Sequence, residues 1–147
     1  MNDIIKNYSM SFPGKLGELY SYYKNTDNEI NDLDFLTLTF LVTENCNLQC
    51  SYCYQHNKTK KIMDFEIAKI FIDKLLRQSP DLASFFDFSK KGVILDFIGG
   101  EAFLQVELID KIIDYFIEQM IILKHPWLLK FRVHVGSNGV LYFTDKV

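Results

Sequence analysis

From Phe35 onward the apolar residues of this chain alternate between two spacings. Residues 36 to 43, LTLTFLVT, are β-branched and apolar in an unbroken run, the pattern of a strand buried on both sides. After Asp64, which stands where a helix cap belongs, Ala68, Phe71, Ile72, Leu75 and Leu76 recur at steps of three and four and predict a helix that Ser79-Pro80 stops. Residues 92 to 100, GVILDFIGG, predict a second buried strand ending in paired glycines. A longer stripe follows, from Leu104 through Leu108, Ile109, Ile112, Ile113, Phe116, Ile117 and Met120 to Ile121, opposite Glu107, Asp110, Lys111, Asp114 and Glu118. His125-Pro126 should close that helix, because a proline restricts the residue before it. Residues 131 to 139, FRVHVGSNG, then predict a third strand and a glycine turn.

Strand, helix, strand, helix, strand with right-handed crossovers makes a βαβαβ unit, so the expected class is α/β with a parallel sheet. Thr144-Asp145 has the form of a further helix cap. Residues 1 to 34 do not follow the alternation; ELYSYYK and the polar turn at Asn25 to Asn28 predict a short hairpin, an N-terminal extension ahead of the 35–147 domain. A three-stranded parallel sheet leaves its last strand with unpaired backbone groups along one edge, so the chain is expected to be part of a larger barrel, completed elsewhere or cut short.

Composition narrows the function classes. The 147 residues are 48% hydrophobic and 24% charged, enough apolar material for one core and unlike a disordered chain. The net charge of -3 comes from 16 basic and 19 acidic residues, with no concentrated positive field to displace phosphate counterions, so nucleic-acid binding is set aside. No run approaches the ~18 apolar residues of a membrane span. The opening MNDIIKNYSMSFPGKLG lacks the basic-then-apolar order of a secretory signal, and an odd number of clustered cysteines points to metal ligation in a reducing cytoplasm rather than to disulfides.

All three cysteines, Cys46, Cys50 and Cys53, lie in the stretch ENCNLQCSYCYQ directly after the first predicted strand. Thiolate is a soft ligand suited to zinc and to iron–sulfur clusters. Three of them leave one position of a four-ligand site to be filled. His56 would close a Cys3His zinc site, whereas a site with an open position takes an exchangeable ligand. The second strand ends in Gly99-Gly100-Glu101, where glycine suits a tight strand-to-helix turn and an acid suits the helix dipole. The third ends in Ser137-Asn138-Gly139, the composition of an ordinary Asn-Gly turn. All three stretches fall at the C-terminal ends of successive predicted parallel strands, the edge at which barrels assemble active sites.

The arrangement C-x3-C-x2-C with Tyr52 before its last cysteine resembles the signature of the radical S-adenosylmethionine (radical SAM) enzymes. Ile98 to Glu101 resembles that family's GGE motif, with Ala102 where proline commonly follows, and Ser137-Asn138-Gly139 resembles the TNG-like segment of its peptide-modifying members. The resemblance implies a [4Fe–4S] cluster held by Cys46, Cys50 and Cys53. Its fourth iron would be chelated by the amino and carboxylate groups of S-adenosylmethionine (SAM), and Tyr52, Gly99, Gly100, Glu101, Ser137 and Asn138 would contact that cofactor. A reduced cluster would then cleave SAM to a 5′-deoxyadenosyl radical. It also implies the N-terminal half, about three strands, of a partial (β/α)6 barrel. The stretches FLVTENCNLQCSYCYQ, FIGGEAFLQVELIDKIIDYF and KHPWLLKFRVHVGSNGVLYF are closest to SPASM-type ribosomal-peptide maturases, so a peptide substrate is expected. With no fourth cysteine, the chain has no ligands for a second cysteine-held cluster, and half a barrel is expected to lack the walls that catalysis needs. The competing class is a non-enzymatic zinc or electron-transfer module that docks a partner through its open strand edge.

Strand parity adds one expectation from the residues alone. If Leu36, Leu38, Phe40 and Val42 face the helices, then Thr37, Thr39 and Thr43 face away, and Asp96, Arg132 and His134 interrupt otherwise apolar strands. These polar positions are expected to share the barrel-facing side, unless Asp96 and Arg132 form a purely structural ion pair. Tyr54 is a packing residue or an adenine neighbour, Trp127 an anchor of the second helix's exit, and His125 a helix-end residue rather than a ligand.

Overall fold

The computed structural model describes residues 34–56 and 58–142. The chain divides into two units, Met1–Asp34 and Phe35–Val147, and all that follows concerns the second. The predicted N-terminal hairpin and the Thr144-Asp145 cap lie outside the described residues.

The elements run β1 (Phe35–Thr43), α1 (Phe65–Leu76), β2 (Gly92–Gly99), α2 (Val106–Ile122) and β3 (Phe131–Val135). The three strands form one parallel sheet in the order β1-β2-β3, as the alternation of patterns predicts. Alternate residues of the sheet, Leu38, Phe40 and Val42 with Val93, Leu95 and Phe97, are buried. They form one core with Ala68, Ile72 and Leu75 of α1 and Ile109, Ile112, Phe116 and Met120 of α2. Phe40 stacks on Phe97 with ring centroids 5.4 Å apart. Each fully buried side chain of this size contributes roughly 1.5–3 kcal/mol relative to exposure.

β1 departs from expectation on its other side. Thr37, Thr39 and Leu41 are exposed, so the described part of the strand is buried on one face and open on the other. Thr43 also breaks the predicted parity. The register slips between Leu41 and Thr43, and the irregularity turns the Thr43 side chain inward, where it is 1% exposed and its hydroxyl donates to the Lys61 carbonyl at 2.9 Å.

Both helices start and stop for local reasons. Asp64 caps α1, its carboxylate accepting from the Glu66 amide at 2.9 Å. The Ser79 and Gln78 amides reach back to the Lys74 and Leu75 carbonyls, and after α2 the His125 and Lys124 amides do the same to Met120 and Ile121. This is the Schellman pairing, with Gln78 (φ 51°) and Lys124 (φ 48°) in the left-handed position that glycine usually takes. α2 therefore ends at Ile122, four residues before Pro126, closed by its own backbone rather than by the proline. Leu104, the first residue of the predicted stripe, falls in a 3-10 turn, Ala102–Gln105, ahead of the helix proper. Trp127 does anchor the exit: it is 3% exposed and its indole N–H donates to the Lys90 carbonyl at 2.9 Å. His125 sits at the same exit, its Nδ1 accepting from the Trp127 amide at 3.2 Å.

Tyr115 of α2 ties the helices together by donating its hydroxyl to Asp73 of α1 at 2.9 Å. Burial, helped by this bond to a carboxylate, pushes the phenol up to about 12.

Candidate metal centre

The loop that carries the cysteines leaves β1 and returns to it. The Glu44 amide donates to the Lys61 carbonyl and the Met63 amide to the Val42 carbonyl, both at 3.0 Å, so an antiparallel bridge of Thr43 with Ile62 closes the loop at its neck. Glu44 and Thr59 are joined side chain to side chain across the same neck. Farther out, Lys58 reaches over to donate to the Leu48 carbonyl at 2.8 Å. The sequence marks Lys58 only as a member of a small basic group; its role as a brace depends on a return path that no local pattern encodes.

Cys46, Cys50 and Cys53 are free thiols of intermediate burial. The Cys53 amide donates to the Cys50 carbonyl at 3.2 Å, a turn that keeps these two cysteines on neighbouring positions. With Gln49, Ser51, Gln55, His56 and Lys58 they line a cleft of about 380 Å³. Gln55 Oε1 is buried without a hydrogen-bond partner. Among the described residues no three His, Cys, Asp or Glu side chains gather as they would around a single ion. His56 is exposed. A cubane makes a different demand, because each thiolate holds a different iron and the sulfurs stand farther apart than ligands of one ion.

The paired glycines of β2 lie flat against the base of this loop. A Cβ on Gly100 would come within 2.4 Å of the Asn45 carbonyl oxygen, and one on Gly99 within 2.7 Å of the Thr43 carbonyl oxygen. The close approach lets the Gly100 and Glu101 amides donate to the Thr43 and Asn45 carbonyls, each at 2.9 Å. Glycine is required here for contact rather than for an unusual φ.

Glu101 is fully buried, and it is the point where the turns meet. Its Oε1 accepts from the Phe103 amide at 3.0 Å and from the Ser137 hydroxyl at 2.8 Å, and its Oε2 accepts from the Asn138 amide at 2.8 Å. The charge is thus met by oriented neutral donors, which stabilise an anion in a desolvated place. Asn138 in turn reaches the cysteine loop: its Nδ2 donates to Asn47 Oδ1 at 2.8 Å and lies 3.9 Å from Cys46 Sγ. The Leu48 amide donates to the same sulfur at 3.4 Å.

The geometry therefore joins Cys46, Gly99, Gly100, Glu101, Ser137 and Asn138 in one hydrogen-bonded edge. Tyr52 and Tyr54 stand apart from it, 89% and 76% exposed. Asn45, Asn47 and Thr43 belong to the edge although nothing in their spacing singles them out. Across the open sheet face, register aligns Thr39, Asp96 and His134 on one row. Asp96 accepts from the Thr39 hydroxyl at 3.2 Å and meets His134 Nδ1 at 2.5 Å. Arg132, on the same face, stacks over the Phe35 ring at 4.9 Å. Thr39, Asp96, Arg132 and His134 thus share a face, from which Thr43 has turned inward, and Asp96 engages its strand neighbours.

Residues 37–130 match the family described as 4Fe-4S single cluster domain. An uncharacterized protein of Methanocaldococcus jannaschii is 42% identical over 78 residues, which are 53% of this chain and 23% of that protein. A solved structure described as native anSMEcpe with bound AdoMet is similar with a TM-score of 0.49 and 24% identity, over 71% of this chain and 27% of that one. The chain thus spans about a quarter of the length of these relatives. The family match covers β1, the cysteine loop, both helices and β2, so the chain belongs to the family of 4Fe-4S single cluster domains, whose cofactor is a [4Fe–4S] cluster.

Proposed function

We propose that this chain is the cluster-binding part of a radical SAM enzyme, with Cys46, Cys50 and Cys53 holding three irons of a [4Fe–4S] cluster and the fourth left to SAM. The observation that carries the reading is the convergence of three turns at the C-terminal edge of a parallel sheet on buried Glu101, whose carboxylate holds the β2 and β3 turns together and whose amide meets the cysteine loop. The donor set suits the group: three free thiols on one neck-closed loop, beside a cleft that two of them line. When bound, the cluster would supply the one electron that breaks the 5′ carbon–sulfur bond of SAM, giving methionine and a 5′-deoxyadenosyl radical.

The protein's part in that chemistry is placement. Glu101 holds the β3 turn against the β2 turn, and the paired glycines let both approach the loop within backbone hydrogen-bonding distance. Because the turn amides already donate to Thr43 and Asn45, the SAM ammonium would be received by carbonyl oxygens of Gly99 and Gly100, the acceptors an ammonium requires. Tyr52 and Tyr54 are exposed beside the cysteines and would pack against the nucleoside. The open sheet face, with its Thr39–Asp96–His134 row, would form part of the barrel interior, and the row of resemblances in the strands and loops favours a peptide as the substrate.

Anaerobic reconstitution tests the reading. The expected product is a brown protein with about four irons per chain. Dithionite and SAM should then release 5′-deoxyadenosine. Uptake of zinc with no iron would overturn it.

A further inference from the structure

We infer that Asn138 is a positioning residue for the cluster: its side-chain amide hydrogen-bonds the Cys46 sulfur and raises the cluster's reduction potential. The inference rests on the cysteine loop holding the cluster, and it is independent of SAM and of the substrate.

The backbone N–H and both polar side-chain atoms of Asn138 have defined tasks. Its backbone N–H donates to Glu101 Oε2 at 2.8 Å, and its Oδ1 accepts from the Val140 amide at 3.0 Å. These two bonds fix both the backbone and the flip of the side-chain amide, since Oδ1 must face Val140 and Nδ2 must face away from it. One Nδ2 hydrogen serves Asn47 Oδ1 at 2.8 Å, and the other faces Cys46 Sγ at 3.9 Å. The residue comes from β3's loop, 92 positions along the chain from the cysteine it meets. Among the described residues it is the side chain that links a cluster thiol to another strand's end. The support beneath it is rigid, because Ser137 is bound to Glu101 at 2.8 Å and accepts from the Gly139 amide at 2.9 Å.

Reduction adds negative charge that is shared with the cysteine sulfurs. A donor already aimed at one of them stabilises the reduced form more than the oxidised one, so it raises the potential. One net hydrogen bond is worth on the order of 1 kcal/mol, which is roughly a fivefold change in the one-electron equilibrium, or about 40 mV.

The test uses the 147-residue chain loaded anaerobically, with Asn138→Leu, which keeps bulk and removes the donor, and Asn138→Ser, which is too short to reach. Iron content is read first, then the midpoint potential by redox titration. Pulsed electron paramagnetic resonance of the reduced cluster, with and without 15N-asparagine, follows. We expect cluster content to be kept, the potential to fall by about 40 mV in each variant, and a weak asparagine-nitrogen coupling in the parent that both variants lose. Unchanged potentials, or a coupling that neither substitution weakens, would overturn the inference. So would variants that fold by circular dichroism yet take up no iron, because Asn138 would then be building the site rather than tuning it. A parent chain that loads no cluster would instead overturn the reading on which the inference rests.

Discussion

Glu101 is the single residue on which the site's assembly depends most. Three donors from two segments converge on its carboxylate, and a glutamine there would turn one acceptor into a donor facing another donor. Glu101→Gln should therefore cost about 2–3 kcal/mol of stability, read by urea unfolding, because a buried donor left unpaired costs most of that amount. His125 illustrates a different residue-scale effect. Burial holds its imidazole below the usual histidine value, and its Nδ1 must stay unprotonated to accept from the Trp127 amide. The unfolded chain takes up that proton first, so this stabilisation is complete above pH ~6.5 and is lost as the pH falls below it. Unfolding free energies measured between about pH 7.5 and 5 should show the decline, and His125→Asn, which keeps an acceptor, should flatten it. The presence of Glu101 in a glycine turn was legible in the sequence, but its burial was not. A lone acid after two glycines reads equally well as an exposed helix-dipole partner, and only contact with a turn 36 positions away decides.

At the scale of elements, hydrophobic spacing located the three strands and two α-helices between Phe35 and Val135, and Asp64 was recognisable as a cap. The helix ends were less legible. Proline is a visible stop signal, yet α2 closes on a Schellman pairing with Lys124 in the left-handed region, and α1 does the same with Gln78. Neither residue announces that conformation. Both positions carry the strain of a Cβ at positive φ, so Gln78→Gly and Lys124→Gly should each stabilise the fold by about 0.5–1 kcal/mol after the entropy of the more flexible unfolded chain is deducted. Thermal melts of the single and double variants would check this, and the two gains should add, because the sites lie on different helices. The irregularity at Thr43 belongs to the same class. Strict alternation put its side chain on the open face, and the returning segment at Lys61–Met63 draws it inside instead.

For the molecule as a whole, the described residues present the site as an edge of the sheet rather than as an enclosed pocket. Cluster binding would cross-link the cysteine loop to itself through Cys46, Cys50 and Cys53 and would firm the β3 turn that meets it through Asn138, so removal of iron should act locally. Hydrogen exchange of residues 44–61 and 136–140 should speed up on chelation, while β2 and α2 keep their protection. Among the described residues no helix is long and apolar enough to cross a membrane. Local chemistry in the sequence determined the class of fold, the parallel order of the strands and the soft, three-thiol character of the site, because side-chain period and ligand spacing are properties of contiguous residues. Only the tertiary structure decided that Glu101 is a buried link, that Asn138 faces Cys46 and that Asp96 pairs with His134 and Thr39. Those contacts span dozens of residues, and their geometry follows from sheet register and backbone approach, which no local pattern specifies.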